Sequence, residues 1–312
     1  MVEQPTQSDP QADAAVLEDA AVPEVVSWLR VQDPHGERMA KVFRETFDQI
    51  YDGQRTGRYR LDQLFKTEKT HFGTLIEINL QREFKFEDGD LLDFSILGME
   101  IDCKYSHSGQ WMIPVEAFEQ LLLVAKADDA KTQWSVGVVR ATAAHRRVSE
   151  NRDRKTSLNP DGRAAVQWVF RDHPMQPNAL LQLPRELVDH VMGQPSGQKR
   201  LNELFRVAQN LRLSNNIIAT VAQQKDYMKR VRSNGGSRSA LKPEGIIILS
   251  GDYNAQRSLA GALGAVIPEP GEVVSVTVVP AESAFEGVPI GDGVWRLARL
   301  GEEPTTAAPA VR

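Results

Sequence analysis

The heptapeptide Met99–Tyr105 (MEIDCKY) constrains this chain more than any other stretch, because apolar and charged residues alternate through it without a break. Alternation with period two marks a half-buried strand, and it puts Glu100, Asp102 and Lys104 on one face. Residues 91–97 read as the strand before it, with Leu97-Gly98 as a two-residue hairpin loop. Pairing about that loop sets Asp93 directly opposite Asp102. Directly opposite Cβ atoms lie about 4.5 to 5.5 Å apart, where like charges destabilise a sheet unless something neutralises them.

A divalent cation would neutralise them, and Asp-x8-Asp-x-Lys is the layout of Mg²⁺-dependent nucleases. Two carboxylates hold the ion, and a lysine on the same face stabilises charge or orients the attacking water. Asp-x-Lys alone is an ordinary mixed-charge strand face; the cross-strand aspartate lifts it above that background. A third acid adds to it. Phe72, Leu75, Ile76, Leu80 and Phe84 recur at helical spacing over 68–84, with Glu77 at the edge of the stripe. A helix packed on the hairpin would point Glu77 over the sheet edge towards the same ion. The thiol of Cys103 faces the buried side of its strand, and its backbone carbonyl is a further candidate metal ligand.

At 312 residues the chain is long enough for two domains, each with its own core. Hydrophobic residues make up 41% and charged residues 25%, a globular composition, and no apolar run approaches the roughly 20 residues a membrane span needs. The amino terminus has no basic region followed by an apolar core, and one cysteine excludes an internal disulfide framework, so a reducing cytoplasm is expected. There is no GxxxxGK(S/T) phosphate loop, HExxH, GxSxG or paired Cys/His spacing, which sets aside ATP use and zinc chemistry. Tyr51-Asp52-Gly53 is similar to the Lys-x-Asp-Gly element of nucleotidyl-transferring ligases, but Ile50 stands where the nucleophilic lysine is needed.

The net charge of −5 conceals segregation along the chain. Glu3, Asp9, Asp13, Glu18, Asp19 and Glu24 fall in a stretch without Lys or Arg, which reads as a disordered acidic tail over 1–28. Between 199 and 242 ten basic residues face two acids, Glu203 and Asp226, a phosphate-binding candidate. Leu201, Leu204, Phe205, Ala208 and Leu211 mark one amphipathic helix there. A second, capped by Ser214 or Asn215, carries Ile217, Ile218, Val221 and Ala222. A third beginning at Asp226 would present Lys229, Arg230 and Arg232, with Lys225 just before it as a further DNA-binding candidate, and residues 245–249 read as a wing strand. Arg238 follows the Gly235-Gly236 loop, a candidate phosphate nest. The expected division is an α/β domain with a mixed sheet over 29–167, a linker over 168–177, a helix-turn-helix domain over 178–301 and a disordered tail over 302–312.

Residues 51–58 (YDGQRTGR), 62–84 (DQLFKTEKTHFGTLIEINLQREF), 102–104 (DCK), 202–206 (NELFR), 218–232 (IATVAQQKDYMKRVR) and 243–249 (PEGIIIL) carry a resemblance to a known family. Over roughly residues 30 to 300 the chain resembles the NaeI restriction endonucleases. The resemblance implies a homodimeric type II enzyme with an amino-terminal PD-(D/E)xK endonuclease domain and a winged, CAP-like helix-turn-helix domain that binds a second DNA copy as effector. It implies Glu77, Asp93 and Asp102 as Mg²⁺ ligands and Lys104 as catalytic lysine, the residues reached above by strand pairing. Double-stranded GCCGGC as target and a methyltransferase acting on the same site are implied too. Leu92 departs from the proline that precedes the first aspartate in the generic motif. The readings from other classes are a catalytically silent DNA-binding regulator and a strand-transfer or topoisomerase-like enzyme using Tyr51 as nucleophile.

Overall fold

The structure, a computed structural model, describes residues 19–148, 154–283 and 285–311. Glu3, Asp9, Asp13 and Glu18 lie outside them. In chain order the first elements are α1 (Ala21–Gln32), α2 (Glu37–Tyr51), α3 (Gly53–Thr56), α4 (Lys66–Phe84), β1 (Glu87–Asp88), β2 (Phe94–Ile96), β3 (Met99–Tyr105) and β4 (Met112–Ile113). There follow β5 (Leu121–Asp128), β6 (Gln133–Arg140), β7 (Thr156–Ser157), α5 (Pro160–Ala164), β8 (Gln167–Pro174), α6 (Ala179–Gln182), α7 (Arg185–Met192) and α8 (Gly197–Val207). The last are β9 (Leu213–Ser214), α9 (Asn215–Ala222), α10 (Ser237–Ala240), β10 (Ile246–Ser250), α11 (Asn254–Leu263), β11 (Glu272–Pro280), β12 (Val288–Ile290) and β13 (Gly293–Leu297). No described helix is long and apolar enough to cross a membrane.

Two compact units emerge. The first comprises the chain through Phe43, Gly73–Asp128 and Gln133–Met175; the second comprises Arg44–Phe72, Asp129–Thr132 and Gln176 onward. The first unit ends at Met175, and residues 44–72, expected in the amino-terminal domain, belong with the carboxy-terminal unit.

The first unit is built on a mixed six-stranded sheet, order β1-β2-β3-β5-β6-β8, in which β3 and β5 run parallel and the other neighbours antiparallel. On one face Leu122, Val124 and Val139 pack with Trp111, Ile113, Leu158 and Val166. The other face carries Trp134, whose ring stacks on Phe43 at 5.3 Å and whose indole N–H donates to the Pro174 carbonyl.

Two expectations fail in this unit. Residues 21–28 are not tail: α1 buries Val22, Val25, Val26 and Leu29, a helical stripe that the acidic composition masks. Nor is 168–174 linker, since β8 closes the sheet edge beside β6. Pro174 is tolerated there because an edge strand leaves N–H positions outside the ladder.

In the second unit β10, β11, β13 and β12 form a sheet in that order, with β9 paired to β11. Ile246 and Ile248 enter a core shared with α7, α8 and α9, while Ile247 and Leu249 enter one shared with α11. Strand β10 is thus buried on both faces and is no exposed wing. Ser196 and Ser214 cap α8 and α9 by accepting from Lys199 and Ile217 N–H. The expected third helix is a single 3-10 turn, Tyr227–Arg230. Residues 302–311 are likewise packed rather than tail-like. Both oxygens of Glu302 accept from Arg296 at 2.7 Å, and Ala308, 1% exposed, donates its N–H to the Lys242 carbonyl.

The ligase-like Tyr51-Asp52-Gly53 has a structural use. A Cβ at Gly53 would stand 2.1 Å from Thr220 Oγ1, so only glycine lets α3 approach α9 this closely. Tyr51 is buried and donates to Asp129 Oδ2 at 2.9 Å; burial and the neighbouring carboxylate push its hydroxyl far above the usual phenol range. That removes Tyr51 as a nucleophile. Asp129, 2% exposed, also binds Arg44 Nη1 at 2.5 Å. Asp129→Ala would leave a buried guanidinium short of a partner and Tyr51 without an acceptor, and should cost about 3 to 5 kcal/mol in denaturant unfolding. A loss below about 1 kcal/mol would show that Asp48, 2.9 Å from Arg44, suffices to neutralise it.

Candidate active site

The β2–β3 hairpin turns on Leu97 (φ 56°) and Gly98 (φ 74°), both left-handed as a two-residue type I′ loop requires. Phe94 pairs with Ile101, Ser95 with Glu100 and Ile96 with Met99. One step further, the same register sets Asp93 opposite Asp102, the arrangement expected from sequence. Asp93 Oδ2 accepts from the Cys103 N–H at 2.7 Å. Glu100 does not join this group; it accepts from the N–H groups of Asp90, Leu91 and Leu92 at 2.8, 3.2 and 2.8 Å, and these bonds hold its carboxyl below the usual range. The loop that delivers Asp93 is thereby tied to β3.

Asp102 is only 4% exposed. Its Oδ1 accepts from Lys104 Nζ at 2.8 Å, while Oδ2 is buried with no hydrogen-bond partner. Burial pushes its pKa up to about 6, against the opposing pull of Lys104. The folded chain then binds this proton more tightly than the unfolded one, so the buried carboxylate weighs against folding as pH rises from about 4 towards 6. Lys104 Nζ also donates to the Cys103 carbonyl at 3.1 Å and lies 3.8 Å from Asp93 Oδ2. Burial disfavours its charged form, but the two aspartates outweigh burial and raise its pKa. One ammonium thus touches the oxygens of three residues proposed from sequence as cation ligands.

Glu77 reaches this group from α4. Helix α4 passes Tyr105 of β3 at Gly73. Its carboxyl is pushed up by burial, then by Asp93 and Asp102, with Lys104 opposing. Cys103 keeps its thiol buried, and burial raises its pKa well above the usual value. Sequence reading missed Glu116, on the 3-10 turn Val115–Ala117, whose charge also raises Asp102; nothing in its local pattern announces it. Among the described residues no group of three or more His, Cys, Asp or Glu is placed to hold a metal ion.

The cations expected to bind DNA in the second unit are more dispersed. Lys225, Lys229 and Arg232 are exposed, with Lys229 3.5 Å from Asp226. Arg230 donates to Gln224 Oε1 at 2.7 Å. Arg238 is half-buried and, with Ser233, Ser239 and Lys242, lines a cavity of about 300 Å³. Lys225 precedes the 3-10 turn, Lys229 and Arg230 lie on it, Arg232 follows it and Arg238 is in α10, so they do not share one face of a long helix.

The family described as restriction endonuclease NaeI matches residues 23–305. The type II restriction enzyme NaeI of Lentzea aerocolonigenes is 46% identical over 289 residues, 89% of this chain and 90% of that protein. The chain belongs to the NaeI restriction endonuclease family.

The bonds of the Glu100 carboxylate give it a testable positioning role in this NaeI-family chain. It holds three backbone N–H groups of the loop immediately before Asp93. Glu100→Ala should lower single-turnover DNA cleavage about 10- to 100-fold without a comparable loss of fold. An unchanged rate would mean that Asp93 is positioned by its bond to Cys103 alone.

Proposed function

We propose that this chain is a Mg²⁺-dependent type II endonuclease whose cleavage centre is Asp93, Asp102 and Lys104, with Glu77 beside them. The observation that carries the reading is a buried Asp102 whose Oδ2 has no partner while its Oδ1 binds, at 2.8 Å, a lysine on the same strand face. The donors fit a hard cation: carboxylates of Asp93 and Asp102 and the Cys103 carbonyl are oxygen ligands, and Mg²⁺ commonly takes one or two protein carboxylates, keeping water and substrate oxygens for the rest. Bound there, Mg²⁺ would supply Lewis-acid polarisation of the phosphate and an acidified water.

The chain's own residues supply the remainder. Lys104, kept protonated by its aspartates, faces the negative charge that develops on the phosphate oxygens. Glu77, with its raised pKa, is suited to hold a water or take its proton at the open side of the group. Asp93, fixed by the Cys103 N–H, presents its carboxylate opposite Asp102. Asp102→Ala and Lys104→Ala should each abolish cleavage while site-specific binding persists, since they act at the phosphate rather than at bases. Cleavage should need Mg²⁺, with Ca²⁺ supporting binding but little cutting. Plasmid digestion with sequencing of the ends checks this and the target, which the family resemblance gives as GCCGGC; full activity in EDTA or of either variant would remove the assignment.

By the same reading the chain acts as a homodimer in the cytoplasm, partnered by a methyltransferase of the same specificity, and its second unit binds effector DNA. Exposed Lys225, Lys229 and Arg232, with Arg230 and Arg238, support that second surface. An uncleavable cognate oligonucleotide should accelerate single-turnover cutting of a one-site duplex, and substrate should tighten effector binding by the same factor, typically about 5- to 150-fold. Slowing at every oligonucleotide concentration would mean that both surfaces serve one DNA.

A further inference from the structure

Strand parity links the cleavage centre to a second feature of the first unit. In the β3–β5 and β5–β6 ladders Lys104 pairs with Val124, and Val124 with Gly137; β8 adds Trp168 opposite Gly137. These four residues form one row on the face that carries Asp102. Two positions further along β5, on the same face, stands Lys126. From strand rise and spacing its Cα is about 8 Å from that of Lys104. A Cβ at Gly137 would come within 3.0 Å of the Trp168 ring and 2.6 Å of Val166, so the glycine is what lets the indole lie down over the sheet.

Around Lys126 and Trp168 is a pocket of about 430 Å³, lined also by Trp111, Arg163, Arg171 and Ser108. Trp111 is fixed by its indole N–H, which donates to the Ala125 carbonyl at 2.8 Å. The Arg171 guanidinium lies 5.6 Å from the Trp168 ring and is two-thirds exposed. Lys126 Nζ is 2.9 Å from Asp172, which leaves its charge partly compensated and its position set. Arg163 spends one N–H on the Leu158 carbonyl at 2.9 Å. Among the described residues, the ion pairs of these three cations all go to one carboxylate, Asp172, which lies 2.9 Å from Lys126 and 3.8 Å from Arg171, so a local positive excess remains in a chain of net charge −5.

We infer that this pocket grips the phosphodiester backbone of the DNA strand beside the bond that is cut. This rests on the cleavage centre being at Asp102 and Lys104, because shared face and short separation are what tie the two together. Phosphate fits better than a base edge: the cations come from three different segments and surround a hollow, whereas base readout calls for one planar donor pair in fixed geometry. Trp168, with Arg171 over it, forms the apolar shelf for the sugar between successive phosphates.

The test measures binding, not cutting. Full-length protein in Ca²⁺ is titrated against a one-site duplex over a range of salt, with neutral methylphosphonates placed in turn at each phosphate near the cut. Arg163→Gln/Arg171→Gln should weaken binding at least tenfold and lower the slope of log affinity against log salt by about 0.9 for each phosphate no longer neutralised. Methylphosphonates next to the cut should weaken the wild type yet leave this variant unaffected. Arg171→Gln alone, at an exposed side chain, gives the same pattern at smaller size if the double variant does not fold. Unchanged slope, or equal methylphosphonate penalties in wild type and variant, would overturn the inference. Asp102→Ala separates it from the nuclease reading: the slope should persist there while cutting is lost, and persistent cutting would sink the nuclease reading alone.

Discussion

Leu97 and Gly98, both at positive φ, turn the chain in two residues and so decide which residue of β2 faces which residue of β3. A slip of one residue would send every side chain of β2 to the opposite face. Asp93 would leave Asp102, and Phe94 and Ile96, now buried, would emerge into water. The apolar residues of the hairpin therefore enforce the placement of its charged ones. Leucine in the left-handed region is itself uncommon, and the buried strand pair compensates for that strain.

The same register creates an electrostatic problem that Lys104 solves only in part. Asp102 loses its water, and one oxygen goes to Lys104 while the other meets nothing. Glu77, Asp93 and Glu116 add negative potential around it. Stability alone would favour a neutral side chain here. Retaining a buried, under-neutralised carboxylate makes sense where an additional positive charge is part of the working state, the pattern that separates functional sites from structural ion pairs. The Arg44–Asp129–Tyr51 group shows the structural kind: buried to the same degree, but with both Asp129 oxygens bonded.

What could be read from sequence was what depends on neighbours along the chain. The hairpin register follows from alternation over seven residues and a two-residue loop; α4 follows from Phe72, Ile76, Leu80 and Phe84 on one ridge. The family stretches covered the same ground. Residues 44–72 resisted because their partners are distant: Tyr51 meets Asp129 across 78 positions and Gln54 bonds Gln224 across 170. Strand β10 was legible as a strand but not as a doubly covered one, since a continuous apolar run reports burial without saying what buries it. The packed segment after residue 302 is anchored by Arg296 and Lys242, contacts that a Pro- and Ala-rich composition does not disclose.

Charge counting misled in a more instructive way. The ten cations between 199 and 242 look like a single polyanion-binding stripe, yet several are engaged inside the fold. Arg200 donates to the carbonyls of Val221 and Ala222 at the end of α9, where helix carbonyls lack intrahelical partners. Arg206 spans Glu203 and Glu244, and Arg212 lies between Glu269 and Glu272. An arginine so paired contributes little field beyond the Debye length, about 8 Å at physiological salt. Attraction of DNA to a net-acidic chain must then come from a few locally uncompensated cations. Lys225 and Arg232 in one unit are exposed, and in the other Lys126, Arg163 and Arg171 line one pocket in which a single carboxylate, Asp172, is shared by Lys126 and Arg171 and leaves a positive remainder.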